Sequence, residues 1–282
     1  MTRSLITDAQ NTWCPGCGNF AIQHAIKEVL SSLEEEGRPL EEVVLVAGIG
    51  CHGKIADYLN INTFYAIHGR TIPVATGIKL AHPDLTVICC AGDGDAFAEG
   101  LDHLLFAAKR NIDLTCIIHD NRVYGLTTGQ YTPTSPLHFK GRSTPQGTIE
   151  PPFNPLELLF ASGATHIARG YTKNLPLLKK LIREGILHKG FSFIDILQIC
   201  ASFFDMTGEY KRRVYMLENH DPADPVTAFQ MIQEWDYNLP APISLGTFYK
   251  RESERFDTFF KFEGQTDKER QESLIHLIKD MW

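Results

Sequence analysis

Residues 85–125, LTVICCAGDGDAFAEGLDHLLFAAKRNIDLTCIIHDNRVYG, decide the fold of this chain. The apolar run 86–91 is too short for a helix and is closed by glycine, so it predicts a buried strand. Helical spacing follows over 97–110, and a second apolar run, 114–119, ends at Asp120 and Asn121. Strand, crossover helix and strand make a parallel pair, with Asp93 and Asn121 at the carboxyl ends where open α/β sheets bind ligands. Gly92 and Gly94 let the backbone approach a phosphate, and the helix start offers free N–H groups. The carboxylate of Asp93 is a hard oxygen ligand suited to magnesium. A divalent metal carrying a diphosphate would fit between the two strand ends. Gly-Asp-Gly is also ordinary turn chemistry and an Asn after a strand often caps a helix, so the joint arrangement carries the reading.

Working outward, apolar runs at 43–49 and 193–197 predict further buried strands, with helical patterns at 20–33, 72–81 and 175–188 between and around them. Alternating strands and helices predict an α/β fold, a doubly wound, mostly parallel sheet. Residues 131–155 carry six prolines and read as an ordered loop. Beyond Ser202 the composition turns charged and aromatic without further strand signals, and helices are expected near 225–235 and 268–281. The expected organisation is therefore a binding domain, 1–202, with a C-terminal appendage, 203–282, acting as a lid or as an extension that contacts other subunits.

The 282 residues are 43% hydrophobic, enough for a full core, and the net charge is −7. An acidic chain whose longest basic run is 211–213 argues against nucleic acid and anionic membranes as partners. No apolar segment approaches the roughly 18 residues that span a bilayer, and residues 1–13 lack the apolar core of a signal peptide, so a cytoplasmic protein is expected. Seven cysteines, an odd number, do not form a disulfide framework. Cys14 and Cys17 form a CxxC pair and Cys51 follows after a strand; a zinc knuckle, a redox pair and unpaired buried thiols all remain open on spacing alone.

Further motifs join this core in order: CPGCG (14–18), GIGC (48–51), HGR (68–70), GDGD (92–95), NRVYGLTTGQ (121–130) and STPQGTIEPPFNP (143–155). GDG followed by 26 residues and Asn121 resembles the thiamine diphosphate motif. Together the six motifs resemble the β subunit of 2-oxoacid:ferredoxin oxidoreductases, most closely the 2-oxoglutarate type. The resemblance implies Mg²⁺ held by Asp93, Asn121 and the backbone carbonyl of Val123. It implies cofactor contacts from Ile49, Gly50, Cys51, His52, His68, Gly92, Gly94, Asp95, Tyr124, Gly125 and Leu126. Lys54, His68 and Leu126 would face the substrate end, where a lysine can pair with a carboxylate. A [4Fe-4S] cluster would lie on Cys14, Cys17, Cys51 and Cys200, the last in an LQxC context, while Cys89, Cys90 and Cys116 read as core thiols.

The implied activity is decarboxylation of a 2-oxoacid, two one-electron oxidations through the cluster to ferredoxin, and acyl transfer to coenzyme A. An α subunit would carry the pyrimidine-binding half, in an (αβ)₂ assembly. Departures from the family pattern are His52-Gly53, where many relatives have two serines, and Asp102 and Phe106, where relatives often carry Asn and His. A pyruvate-type or broad 2-oxoacid enzyme, a non-redox thiamine enzyme that would not need the cysteines, and a zinc-stabilised scaffold subunit are the competing readings.

Overall fold

A computed structural model describes residues 4–218, 220–260 and 266–280. Chain order begins with α1 (Asn19–Glu35), β1 (Val43–Ala47), α2 (Ile55–Tyr58), β2 (Asn62–Tyr65), α3 (Thr71–Ala81), β3 (Thr86–Gly92), α4 (Leu101–Lys109) and β4 (Thr115–Asp120). It continues through α5 (Pro155–Ala161), β5 (His166–Tyr171), α6 (Leu175–Leu187), β6 (Ser192–Leu197), α7 (Thr207–Arg213), β7 (Val214–Met216), α8 (Pro225–Gln233), β8 (Ile243–Lys250) and α9 (Asp267–Asp280). The strands form one sheet in the order β2-β1-β3-β4-β6-β5-β8-β7. Strands β1 to β6 pair in parallel, β5 and β8 antiparallel.

Helices cover both faces: α1 packs on α6, while α3, α4, α5 and α8 contact one another in series. Every residue of β4, β5 and β6 is consequently buried, which is why these strands carry no polar alternation. Three helices start on a side-chain cap followed by proline, which supplies a missing first-turn acceptor and a preset φ. Asn154 caps α5, Asn174 caps α6, and Asp224 caps α8 by accepting from Val226 and Thr227.

Three differences from the sequence reading stand out. The reading of the chain beyond Ser202 as free of strands is overturned, because β8 extends the sheet on β5 and β7 pairs with β8. Gly246, at φ 142°, interrupts the β8 pattern, so the strand is defined by its partner more than by its own residues. β5 was not legible either, since HIARGY holds a histidine, an arginine and a glycine that are apolar-core positions only through tertiary pairing. The helix expected over 97–110 begins as a π-helical turn, Asp95–Glu99, and becomes α-helical only at Leu101. Such turns concentrate at functional sites because they re-aim side chains. Residues 131–154 contain no helix or strand, and the expected C-terminal helix is α9, Met281 lying outside the described residues.

Candidate active site

The sheet order reverses between β1 and β3, and the turns leaving β1, β3 and β4 surround one cleft at that switch point. Seventeen residues line it, among them Ile49, Gly50, Cys51, His52, His68, Gly92, Asp93, Gly94, Asp95, Asn121, Val123, Tyr124, Gly125 and Leu126. The expected metal and cofactor residues are therefore brought together by the fold. Two glycines are forced by close approach. A Cβ on Gly92 would stand 2.7 Å from Nδ1 of His52, and one on Gly94 would overlap the Tyr124 ring.

Asp93 is fully buried, and burial pushes its carboxyl above the ordinary value against the hydrogen bonds that lower it. One of these is the Thr134 hydroxyl, which donates to Oδ2 at 2.9 Å. Asn121 accepts from the Val123 amide at 2.9 Å, closing a tight turn with Arg122 at φ 62°. That left-handed residue is unusual for a side chain as large as arginine. It is fixed from behind by its buried guanidinium, which donates to the carbonyls of Thr134, at 2.6 Å, and Tyr237. The oxygens of Asp93, Asn121 and the Val123 carbonyl, the set expected from the sequence, are of the hard type that Mg²⁺ takes.

Asp95 gathers the histidines. Its Oδ1 accepts from the Gly69 amide at 2.7 Å and lies 3.4 Å from His68 Nδ1, and its Oδ2 lies 3.6 Å from His52 Nε2. Burial pushes this carboxyl up, but His52, the Gly69 amide and His68 outweigh it and hold Asp95 below the usual range. His68 also lies 3.1 Å from Glu99, so the π-helical turn binds the HGR turn through both of its carboxylates. Burial pushes the Tyr124 hydroxyl up, with Glu99 reinforcing it, so it donates to that carboxylate at 3.3 Å.

A second cleft, of about 170 Å³, adjoins the first. Cys14, Cys17, Cys51 and Cys200 line it with Trp13, Lys54, Leu126 and Gln198, and all four thiols are free. A Cβ built on Gly125 would lie 3.5 Å from Sγ of Cys200 and 3.6 Å from Sγ of Cys51, so two sulfurs flank one point. Burial pushes the Cys17 thiol up to about 11, the neighbouring cysteines adding to it, and burial raises Cys51 while Lys54 opposes. Raised in this way both groups favour the neutral thiol, and a metal or a cation at the sulfurs would favour the thiolate instead. Among the described residues no three His, Cys, Asp or Glu side chains already stand in a metal-ligating array. Cys89, Cys90 and Cys116 are buried in β3 and β4, with Cys89 and Cys116 paired across the sheet. Lys54 donates to Thr12 Oγ1 at 3.0 Å.

Asp102 and Phe106 are not among the residues lining either cleft. Phe106 is half exposed under the Arg110 guanidinium, 5.2 Å from its ring centre. Residues the sequence reading missed are Asn19, His119 and Thr127 in the first cleft and Gln198 in the second. His119 stands immediately before Asp120-Asn121, and Asn19 directly after CPGCG, so adjacency to a motif was the available signal.

Residues 48–196 match the family described as thiamine pyrophosphate enzyme, C-terminal TPP binding domain. Residues 200–262 match the family of the C-terminal part of the pyruvate ferredoxin oxidoreductase beta subunit. The chain is 41% identical over 258 residues to the 2-oxoacid:ferredoxin oxidoreductase subunit beta of Saccharolobus solfataricus, covering 86% of this chain and 82% of that one. It is 38% identical over 205 residues to the 2-oxoglutarate synthase subunit KorB of Methanothermobacter thermautotrophicus, covering 73% and 71%. Its fold is similar to that of a 2-oxoglutarate:ferredoxin oxidoreductase from Magnetococcus marinus, solved with 2-oxoglutarate, coenzyme A and succinyl-CoA bound: TM-score 0.86, 30% identity, covering 96% and 94%. With the cofactor turns on a doubly wound sheet and a four-cysteine cleft beside them, the chain belongs to the 2-oxoacid:ferredoxin oxidoreductase β subunits.

Proposed function

We propose that this chain is the diphosphate-binding half of a 2-oxoglutarate:ferredoxin oxidoreductase that converts 2-oxoglutarate, coenzyme A and oxidised ferredoxin to succinyl-CoA, CO₂ and reduced ferredoxin. One observation carries the reading: the cofactor cleft and the four-cysteine cleft share Cys51, Asn121, Gly125 and Leu126 as common wall. A cofactor in the first would stand next to a cluster in the second, as one-electron transfer between them requires. When bound, thiamine diphosphate supplies the electron sink that makes loss of CO₂ feasible.

The chain's own residues bind and orient. Asp93, Asn121 and the Val123 carbonyl would hold Mg²⁺, and Ile49, Gly50, His68, Gly94 and Asp95 would contact the cofactor. Cys14, Cys17, Cys51 and Cys200 hold a [4Fe-4S] cluster. Lys54, which lines the four-cysteine cleft with Leu126, would pair with a carboxylate of the substrate, and Leu126 would form the apolar side of that pocket. The pyrimidine half comes from an α subunit in an (αβ)₂ assembly. In the C-terminal segment we assign contact with other subunits to the part beyond Lys250, since β8 is occupied in the sheet.

Anaerobic co-purification with the α subunit, followed by assay of a panel of 2-oxoacids with viologen and coenzyme A, tests the proposal. Activity highest on 2-oxoglutarate, with iron and labile sulfide in the β chain, supports it. Stoichiometric zinc in a colourless protein, or undiminished viologen reduction by a Cys200→Ser variant, overturns the cluster. Preference for pyruvate overturns the substrate.

A further inference from the structure

Between the two clefts runs a row of three buried polar side chains that neither the metal nor the diphosphate contacts account for. Nε2 of Gln198 lies 3.4 Å from Sγ of Cys17 and 3.2 Å from Oδ1 of Asn19, and that same oxygen lies 2.8 Å from Nδ1 of His119. Gln198, Asn19 and His119 are 2%, 1% and 1% exposed, so water does not compete for these bonds. Nδ2 of Asn19, Oε1 of Gln198 and Nε2 of His119 have no protein partner, and Asn19 and His119 line the cofactor cleft.

The chemistry fixes the direction of each bond. With Cys17 as a cluster ligand its sulfur can only accept, so the Gln198 NH₂ donates to it and to Asn19 Oδ1, and turning that amide over would set its oxygen against the sulfur. Asn19 Oδ1 then accepts from Nδ1–H of His119, which fixes that ring's tautomer with the proton on Nδ1 and the Nε2 lone pair free. The backbone locks the row in place: the Gly18 amide donates to the Ile199 carbonyl at 3.0 Å, and a Cβ on Gly18 would stand 2.9 Å from Cγ of Gln198. Gly18 is required for Asn19 and Gln198 to meet.

We propose that Gln198 is a positioning residue for the redox centre: its side-chain N–H donates to the Cys17 sulfur and raises the cluster's reduction potential, with Asn19 and His119 holding the amide in that orientation. This rests on the assignment of Cys17 as a cluster ligand. One-electron reduction of a bound cluster would add one negative charge to the iron–sulfur unit. A donor aimed at a ligand sulfur stabilises the reduced form more than the oxidised form, and so raises the potential. The unpartnered Nε2 of His119 ends the row inside the cofactor cleft.

The test is a reductive titration of the assembled αβ protein, followed by electron paramagnetic resonance of the reduced cluster, in wild type, Gln198→Leu and Asn19→Leu. Iron and sulfide content are measured on each. With the cluster retained, Gln198→Leu is expected to shift the midpoint to more negative potential, and Asn19→Leu to shift it the same way by less, since the amide is freed but not removed. A fully loaded Gln198→Leu protein with the wild-type midpoint overturns the proposal while leaving the cluster assignment intact. Should Gln198→Leu fail to load, an unshifted midpoint in Asn19→Leu overturns it. A wild-type β chain without iron overturns the cluster assignment, and this inference with it.

Discussion

Gly94 and Lys54 show how single residues carry the site. An alanine Cβ at position 94 overlaps the Tyr124 ring, which is itself tied to Glu99, so the turn that presents Asp93 must shift. Overpacking of this kind costs about 1–3 kcal/mol, and relieving it moves the turn that presents Asp93. Calorimetric titration of the αβ protein with thiamine diphosphate and Mg²⁺ is expected to show roughly tenfold weaker binding for Gly94→Ala. Lys54→Met removes the charge partner proposed for the substrate, and Lys54 lies outside the residues lining the cofactor cleft. KM for 2-oxoglutarate is expected to rise about tenfold or more, at a loss of roughly 1.5–3 kcal/mol for a bond to a charged group, with little change in thiamine diphosphate affinity. An unchanged KM removes Lys54 from the substrate pocket. At this scale the site was half legible. Asp93, Gly94 and Asn121 sit in contiguous turns whose spelling reflects their chemistry. Asn19 and His119 are 100 residues apart and meet only because α1 starts beside the end of β4.

Elements impose their own constraints, most visibly where β5 and β6 begin. His166 on β5 and His188 beyond α6 face each other at 5.4 Å, with Nδ1 of His166 bonded to Ser192 and Nε2 of His188 to Thr165. Burial pushes His166 down to about 3, with His188 and Lys250 adding to it. Burial, with Lys250, pushes His188 down to about 4, while Asp113 opposes. Both are neutral in the fold and titrate near 6.5 when unfolded, so their contribution is complete above that pH. It is lost as the pH falls from 6.5 towards 4, at up to about 1.4 kcal/mol per pH unit for each group. Urea unfolding followed from pH 7.5 to 4.5 is expected to give a shallower decline for His188→Gln than for wild type; parallel declines would show that the pair does not control acid stability. The elements themselves were legible where burial on both faces leaves an unbroken apolar run, as in β3 and β4. β5 was illegible because its histidine and arginine are satisfied by partners on other elements.

Across the whole molecule, one buried ion cluster ties the C-terminal segment to the middle of the sheet. Arg169 on β5 and Asp195 on β6 are both fully buried with 3.6 Å between Nε and Oδ2. The guanidinium also reaches the Tyr237 hydroxyl at 3.2 Å and stacks 5.1 Å from the rings of Trp235, Tyr237 and Phe248. Burial pushes Asp195 up to about 6 even with Arg169 and Tyr237 holding it down. Arg169→Met leaves that carboxylate without its cation, a loss of about 3–5 kcal/mol, read as a fall in Tm of roughly 10 °C. A melting temperature within a degree or two of wild type would mean that the cluster is not needed for stability. Because Arg122 also bonds the Tyr237 carbonyl, the same segment braces the turn at 121–123 from behind. The sequence by itself determined the doubly wound core and the turns that bear Asp93, Asn121 and the cysteines, because apolar runs and their closing residues are local properties of the chain. Only the tertiary structure decided that β8 and β7 complete the sheet, that the Trp235 ring, 5.6 Å from the Arg122 guanidinium, and the Tyr237 carbonyl support Arg122, and that Gln198, Asn19 and His119 form one row. Those features rest on buried polar groups finding partners far along the chain, and no local pattern records which partner each will find.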